Sequence, residues 1–172
     1  MNPALDTITG TRTVQRATEL ADRLEQGTQA LVALATGLSD EQWRTKIPGD
    51  GRTVGVVVHH VASVYPIEIE LARTVGAGRP VEGVTMADIH TMNATHAAEH
   101  ATVSKDEAIT LLITNGTAAA QAIRSMTDAE LGTAANVSLY AGAPLTAQFV
   151  LEDHAVRHSY HHAARIRAAL NL

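Results

Sequence analysis

Residues 11–38 read TRTVQRATELADRLEQGTQALVALATGL and set Val14, Ala17, Leu20, Ala21, Leu24, Leu31, Leu34 and Leu38 at helical spacing. Only Gly27 and Thr28 interrupt the stripe, so residues 11–37 form one long amphipathic helix. Ser39-Asp40-Glu41-Gln42 then matches a capping box, in which a hydroxyl and an amide satisfy each other's orphan backbone donors. A short helix carrying Trp43 follows. The turn cluster Ile47-Pro48-Gly49-Asp50-Gly51 separates it from a second long helix, capped by Thr53 and running to about residue 75. Pro66 lies inside that helix and is expected to kink it.

Residues 76–103 make the longest connection, opened by Gly76-Ala77-Gly78-Arg79-Pro80 and holding a helix of its own from Met86 to about His100. A further capping box, Ser104-Lys105-Asp106-Glu107, starts the third long helix, with Ala108, Leu111, Leu112, Ala119, Ala122, Ile123 and Met126 on one face. Residues 127–144 read as an irregular link with an extended piece at 137–140, and a final helix covers residues 145–169. Four amphipathic segments without βαβ alternation or repeats indicate an all-α four-helix bundle, one domain over residues 1–172. The long connection carries the chain back along the bundle, which gives an up-down-down-up order.

Composition narrows the chemistry. A single domain of 172 residues can bury roughly 70% of its unfolded surface. Thirteen Lys and Arg against eighteen Asp and Glu leave a net charge of -5, without the basic footprint of a duplex binder, so nucleic acid is not an expected partner. The absence of cysteine excludes disulfides, thiolate zinc sites, iron-sulfur clusters and a cysteine nucleophile together. The first residues hold no basic segment followed by an apolar run, and no stretch approaches eighteen apolar residues. A cytoplasmic protein with no membrane partner and a small-molecule substrate is the expectation, with a homodimer on exposed bundle surface as an added arrangement. Five residues are Phe, Trp or Tyr while nine are His, an inversion that a helical core does not require.

Helical spacing sorts the histidines. Positions i and i+4 share a face with Cβ atoms about 5–6 Å apart, so two imidazoles there can converge on one ion. His158 and His162 form such a pair, and His154 either joins it or stays outside. On a wheel, Leu145, Phe149, Val156, Ala163 and Leu170 define the core stripe, with His158 and His162 flanking it beside Leu151, Ala155 and Ile166. His161 points about 100° away from His162, onto a solvated face. The third ligand must come from another helix, and in the His59-His60 dipeptide His60 has Val57, Val64, Ile67 and Leu71 on its face. Three imidazoles leave coordination positions open on zinc, the pattern of a catalytic rather than a closed structural site, and the set also suits nickel, cobalt or iron. His96 and His100 repeat the spacing but lie among Ala and Thr in an exposed segment, which reads as solvated. Glu68, Glu99, Glu152 and Asp153 are either partners that orient an imidazole or ordinary helix-surface charges. Gly-x-Ser-x-Gly, a phosphate-cradling glycine loop, H-E-x-x-H and the paired Glu-x-x-His of di-iron bundles are absent.

Three stretches carry a resemblance: Leu38-Ser39-Asp40-Glu41-Gln42-Trp43, Thr53-Val54-Gly55 through His60-Val61-Ala62, and His158-Ser159-Tyr160-His161-His162-Ala163-Ala164-Arg165-Ile166. In order and spacing, from about residue 11 to 170, the chain resembles the DinB-like superfamily of metal-binding four-helix bundles. Ala164-Arg165 stands where Gly-Gln is usual, and Arg52 where relatives usually carry Trp, a change at the mouth of the site. The resemblance implies a divalent metal, zinc or nickel, on one histidine of the second helix and two of the fourth, here His60, His158 and His162. It also implies transfer of a low-molecular-weight thiol such as mycothiol or bacillithiol, with the thiol as cofactor. The related maleylpyruvate isomerases usually carry an additional C-terminal domain, so transfer to another small electrophile is expected here. A hydrolase that activates water, a non-catalytic metal-binding module and a metal-free bundle are the alternatives. Asn93, Tyr65, Tyr160 and Arg165 either reach a pocket near the metal or make ordinary packing and surface contacts.

Overall fold

A computed structural model describes the backbone of residues 3–172 and the side chains of residues 15–172. In chain order the elements are α1 (Pro3–Gly37), α2 (Asp40–Arg44), α3 (Val54–Gly76), α4 (Met86–Glu99), α5 (Lys105–Arg124) and α6 (Asp128–Gly132). A hairpin of β1 (Ala134–Val137) and β2 (Ala143–Thr146) follows, then α7 (Ala147–Val150), a π-helical turn (Leu151–Val156) and α8 (Arg157–Leu170). Helix α1 begins ahead of the expected residue 11, and Val14 lies outside the residues whose side chains are described.

Side-chain pairings fix the directions. Arg16 donates to Gln148 and Arg23 to Glu152, while the Tyr160 ring lies over Gly27, so α1 and α8 run the same way. Lys105 donates to the Leu38 carbonyl and Arg124 to Asp22 and Glu25, which makes α5 antiparallel to α1. Tyr65 pairs with Ser159 and Glu68 with His158, which makes α3 antiparallel to α8. The bundle is therefore up-down-down-up, with α4 inside the long connection between α3 and α5.

The interior is aliphatic. Leu20, Leu24 and Leu31 of α1 meet Val57, Val58 and Val61 of α3, Leu112 and Ile123 of α5, and Leu151 and Ile166 of the last helix. Each such burial stabilises the fold by roughly 1.5–3 kcal/mol. Helix α3 sits at the centre. Among the described residues it is the one helix long and apolar enough to cross a membrane, and 72% of that apolar window is buried inside the bundle. Its hydropathy is thus accounted for by its central place in the core.

Close approaches explain the small residues. A Cβ on Gly55 would lie 2.5 Å from Trp43 Nε1, so the indole rests on bare backbone while its N–H donates to the Val103 carbonyl at 3.1 Å. The Gly27-Thr28 interruption of the first stripe is a packing feature rather than a break. Gly27 accommodates the Tyr160 ring, and Thr28 Oγ1 meets Tyr65 Oη at 3.0 Å. Tyr65 Oη in turn meets Ser159 Oγ at 2.6 Å, so a buried hydroxyl chain joins α1, α3 and α8.

Pro66 lies inside α3, as expected, and the Ala62 carbonyl that its missing N–H would have served accepts from Asn115 Nδ2 at 2.9 Å. Other local expectations change. The Ser39 capping box forms in full, whereas at Ser104 only the hydroxyl half is made, to the Glu107 N–H. The extended piece expected at 137–140 is displaced: β1 covers Ala134–Val137, and Ser138–Tyr140 is a 3₁₀ turn leading to Ala141 and Gly142 at positive φ. β1 pairs with β2 in antiparallel register, Val137 opposite Ala143, and Val81 adds a parallel bridge on its other side.

The last helix departs most. Of the expected stripe, Val156 and Ala163 are buried, but Phe149 is 41% exposed and Leu145 and Leu170 are half-buried, and the buried face also takes in Leu151, Ala155, Ser159, His162 and Ile166. The π turn is the cause. Its i→i+5 bonding inserts one residue, worth about 100° of helix rotation, so a uniform wheel loses phase there.

Candidate metal centre

Helix α3, capped by the Thr53 hydroxyl on the Val56 N–H, delivers two consecutive buried imidazoles, His59 and His60. Consecutive helical positions point about 100° apart, and the two rings enter different surroundings. His60 faces the last helix, where the shifted phase after the π turn turns His162 into the interior with His158 half-buried beside it. Ring centroids are 5.3 Å apart for His60 and His158, 5.7 Å for His60 and His162, and 4.9 Å for His158 and His162. One nitrogen from each of the three lies within 4.8 Å of the others. The structure thus brings together the three residues singled out from the sequence.

Burial holds two of them neutral. Desolvation, then the charges of His158 and Arg52, push His60 down to about 3. His162 falls to about 2, first by desolvation and then through His158 and His60. His162 Nδ1 is buried with no hydrogen-bond partner, an unusual state for a polar atom. His158 is held differently: its Nδ1 lies 2.5 Å from Glu68 Oε1, a carboxylate only 6% exposed. An Nδ1–H donated to Glu68 leaves Nε2 as the lone-pair atom. Of the four acids considered from the sequence, Glu68 alone touches a histidine of this triad.

Arg52 and Asp50 flank the triad. Arg52 Nε and one terminal nitrogen grip Asp50 at 2.6 and 2.9 Å, and Arg165 adds a second cation at 2.9 Å. The hydrogen bonds from Arg52 pull Asp50 down to about 2. The other terminal nitrogen of Arg52 is buried and unpartnered. Beside His158 a small cavity of about 100 Å³ is lined by Asp153, His154, Arg157, His158 and His161.

The remaining histidines divide. His154 stays outside, its Nε2 2.9 Å from Tyr140 Oη, which also donates to Asp153. His90 and His161 are exposed. His96 and His100, expected to be solvated, are not: both are half-buried against His59, with His59 Nδ1 and His96 Nε2 sharing a hydrogen bond of 2.9 Å. The choice between His59 and His60 therefore has a two-part answer, since each ring belongs to its own cluster of three. The repeated i, i+4 spacing at 96 and 100 was the available signal, and the polar surroundings of α4 masked it. Of the pocket candidates, Tyr65 is committed to the hydroxyl chain, Tyr160 to the Arg23 carbonyl and Arg165 to Asp50. Asn93 Oδ1 is buried without a partner.

Comparison with known proteins agrees with this architecture. The solved structure of YfiT from Bacillus subtilis, described as a probable metal-dependent hydrolase with an unusual four-helix bundle topology, superposes with a TM-score of 0.73. It is 19% identical, over 91% of this chain and 87% of that one, a likeness that establishes the fold. No curated protein matches the sequence. The family model of the DinB superfamily matches residues 23–166, a span that begins in α1 and closes on the helix bearing His158 and His162. With most of its length inside that match and the bundle folded in the same order, the chain belongs to the DinB superfamily.

Proposed function

We propose that this chain is a divalent-metal-dependent transferase that joins a low-molecular-weight thiol of the mycothiol or bacillithiol type to a small electrophile, with zinc or nickel held by His60, His158 and His162. The observation that carries the reading is the convergence of three imidazole nitrogens within 4.8 Å at the buried junction of α3 and α8. The donor set fits such an ion: His60 and His162 are neutral at pH 7, and the unpartnered Nδ1 of His162 leaves a buried polar atom for which no protein group provides. When bound, the ion would act as a Lewis acid that makes a thiol or a water in an open position easier to ionise.

The chain's own residues do the rest. Glu68 accepts the Nδ1–H of His158 and fixes its tautomer. Asp50 holds Arg52 and Arg165 at the rim, and the unpartnered arm of Arg52 is a donor for an anionic group on substrate or cofactor. Arg157 and His161 line the cavity beside His158 and offer further donors. Both buried carboxylates near the triad are committed, Glu68 to the ring and Asp50 to two arginines, so neither is free to serve as general base. That favours a thiol, which ionises near 8.5 in water, over water as the nucleophile. The absence of cysteine means that any reacting sulfur arrives with the cofactor. The substrate is then a small molecule rather than nucleic acid or membrane, and the setting is the cytoplasm, where thiols are kept reduced.

Hydrolysis is the second reading, favoured by the description given to the Bacillus subtilis protein. The two separate in one assay. Metal-reloaded protein is expected to conjugate a thiol to a model electrophile and to lose that activity on chelation. Turnover of esters or amides with no thiol present would replace the transferase by the hydrolase. Glu68→Gln is expected to weaken zinc binding by about 10–100-fold, read by chelator competition. Unchanged affinity would remove the carboxylate from the orienting role.

A further inference from the structure

Helix α4 carries no buried side chain along Met86–Glu99, so no apolar stripe holds it to the bundle. Among the described residues, its side-chain hydrogen bonds to α3 all run through His96, to His59 at 2.9 Å and to Ser63 Oγ at 3.2 Å. At its end, His100 closes the last turn with its N–H on the His96 carbonyl and lays its ring against His59, centroids 3.9 Å apart. His96 and His100 are 4.7 Å apart, His59 and His96 5.1 Å. One nitrogen of each ring lies within 4.8 Å of the other two. No carboxylate hydrogen-bonds any of the three among the described residues, and His96 Nδ1 is buried without a partner. Glu107 acts on His59 through its charge without a hydrogen bond. Buried polar atoms are normally paired, and three converging imidazoles with a free nitrogen are what a soft-to-borderline divalent ion satisfies.

We infer that His59, His96 and His100 form a second divalent-metal site, separate from the first triad, that fastens α4 onto α3. The arrangement repeats the first one: a single imidazole from α3 opposite an i, i+4 pair from another helix. The His59-His60 dipeptide feeds both, one ring to each side. The His96 ring also lies 5.6 Å from His60, so a metal that pins α4 pins it along the edge of the first triad. The site supplies to α4 the attachment that its sequence does not provide through apolar packing.

The test is metal stoichiometry on the full chain, stripped with chelator and titrated with cobalt(II) or zinc alone. Wild type is expected to bind two equivalents, and His100→Ala, His96→Gln and His162→Ala one each, with circular dichroism confirming that each variant is folded. Hydrogen exchange of α4 amides is expected to slow on zinc addition in His162→Ala and not in His100→Ala. A wild-type stoichiometry of one that His100→Ala and His96→Gln leave unchanged overturns the second site and leaves the first standing. One equivalent that His162→Ala leaves unchanged and His100→Ala abolishes upholds the second site and overturns the first triad instead. No binding at all overturns both.

Discussion

His162→Ala is expected to weaken zinc binding at the first triad by more than about 100-fold, titrated in a His100→Ala background so that this triad alone is read. Loss of a partner that only orients a metal-bound histidine already costs 10–100-fold, and a ligand nitrogen matters more. His162 is 5% exposed and its Nδ1 has no protein partner, so its removal breaks no hydrogen bond within the fold. The loss therefore falls on metal binding. Thermal stability gives the second reading of the same change. Zinc at 100 times its dissociation constant adds about 2.7 kcal/mol to a protein that binds it only when folded, which is about 5–11 °C in a domain of this length. That increment is expected to vanish in the double variant. An equal zinc-dependent rise in the His100→Ala protein with and without His162→Ala would remove His162 from the ligand set.

Acid should undo the metal-free protein across a defined window. In the unfolded chain an imidazole takes up a proton near 6.5, whereas His60 and His162 refuse it until about 3 and about 2. Between those limits the unfolded state binds more protons, so stability is complete above pH 6.5 and falls as the pH drops toward the folded values. Each imidazole contributes about 1.4 kcal/mol per pH unit, so two of them remove roughly 5 kcal/mol between pH 6.5 and 4.5, comparable with the whole stability of a small domain. Asp50 acts later with the same sign, since Arg52 holds it down at about 2 and its contribution fades only below 3.8. Urea midpoints at pH 7.5, 6, 5 and 4.5 test this. A flat profile would show that the two rings are not kept neutral by burial.

Much of this was legible in the sequence because helices announce themselves locally. The stripe of Leu20, Leu24 and Leu31 and the Ser39 box depend on residues three to seven positions apart, and the structure keeps them. His158 and His162 were legible for the same reason, and His60 through its helical neighbours Val57 and Val64, which are buried with it, although Ile67 on the same face is exposed. What was hidden is either a break in periodicity or a long-range pairing. The π turn puts the residues before it out of phase with those after it, which is why Phe149 is exposed while Val156 and Ala163, on the same stripe of a uniform wheel, are buried. Asn115 serving the carbonyl above Pro66, and His96 meeting His59, join residues 53 and 37 positions apart with no local trace. The hairpin has short strands whose partners include Pro144, too weak a pattern to stand out from a link.

The chain of Thr28, Tyr65 and Ser159 separates two kinds of evolutionary freedom in this bundle. Apolar side chains of similar volume exchange at small cost, so the Leu, Val and Ala positions of the core can turn over between descendants. A buried hydroxyl has far fewer acceptable replacements, because its partner is left unsatisfied. Tyr65 stands one turn before Glu68, and Ser159 directly after His158. Lineages can therefore rewrite most of the interior while these three oxygens keep α3 and α8 in step, and with them the spacing of the imidazoles.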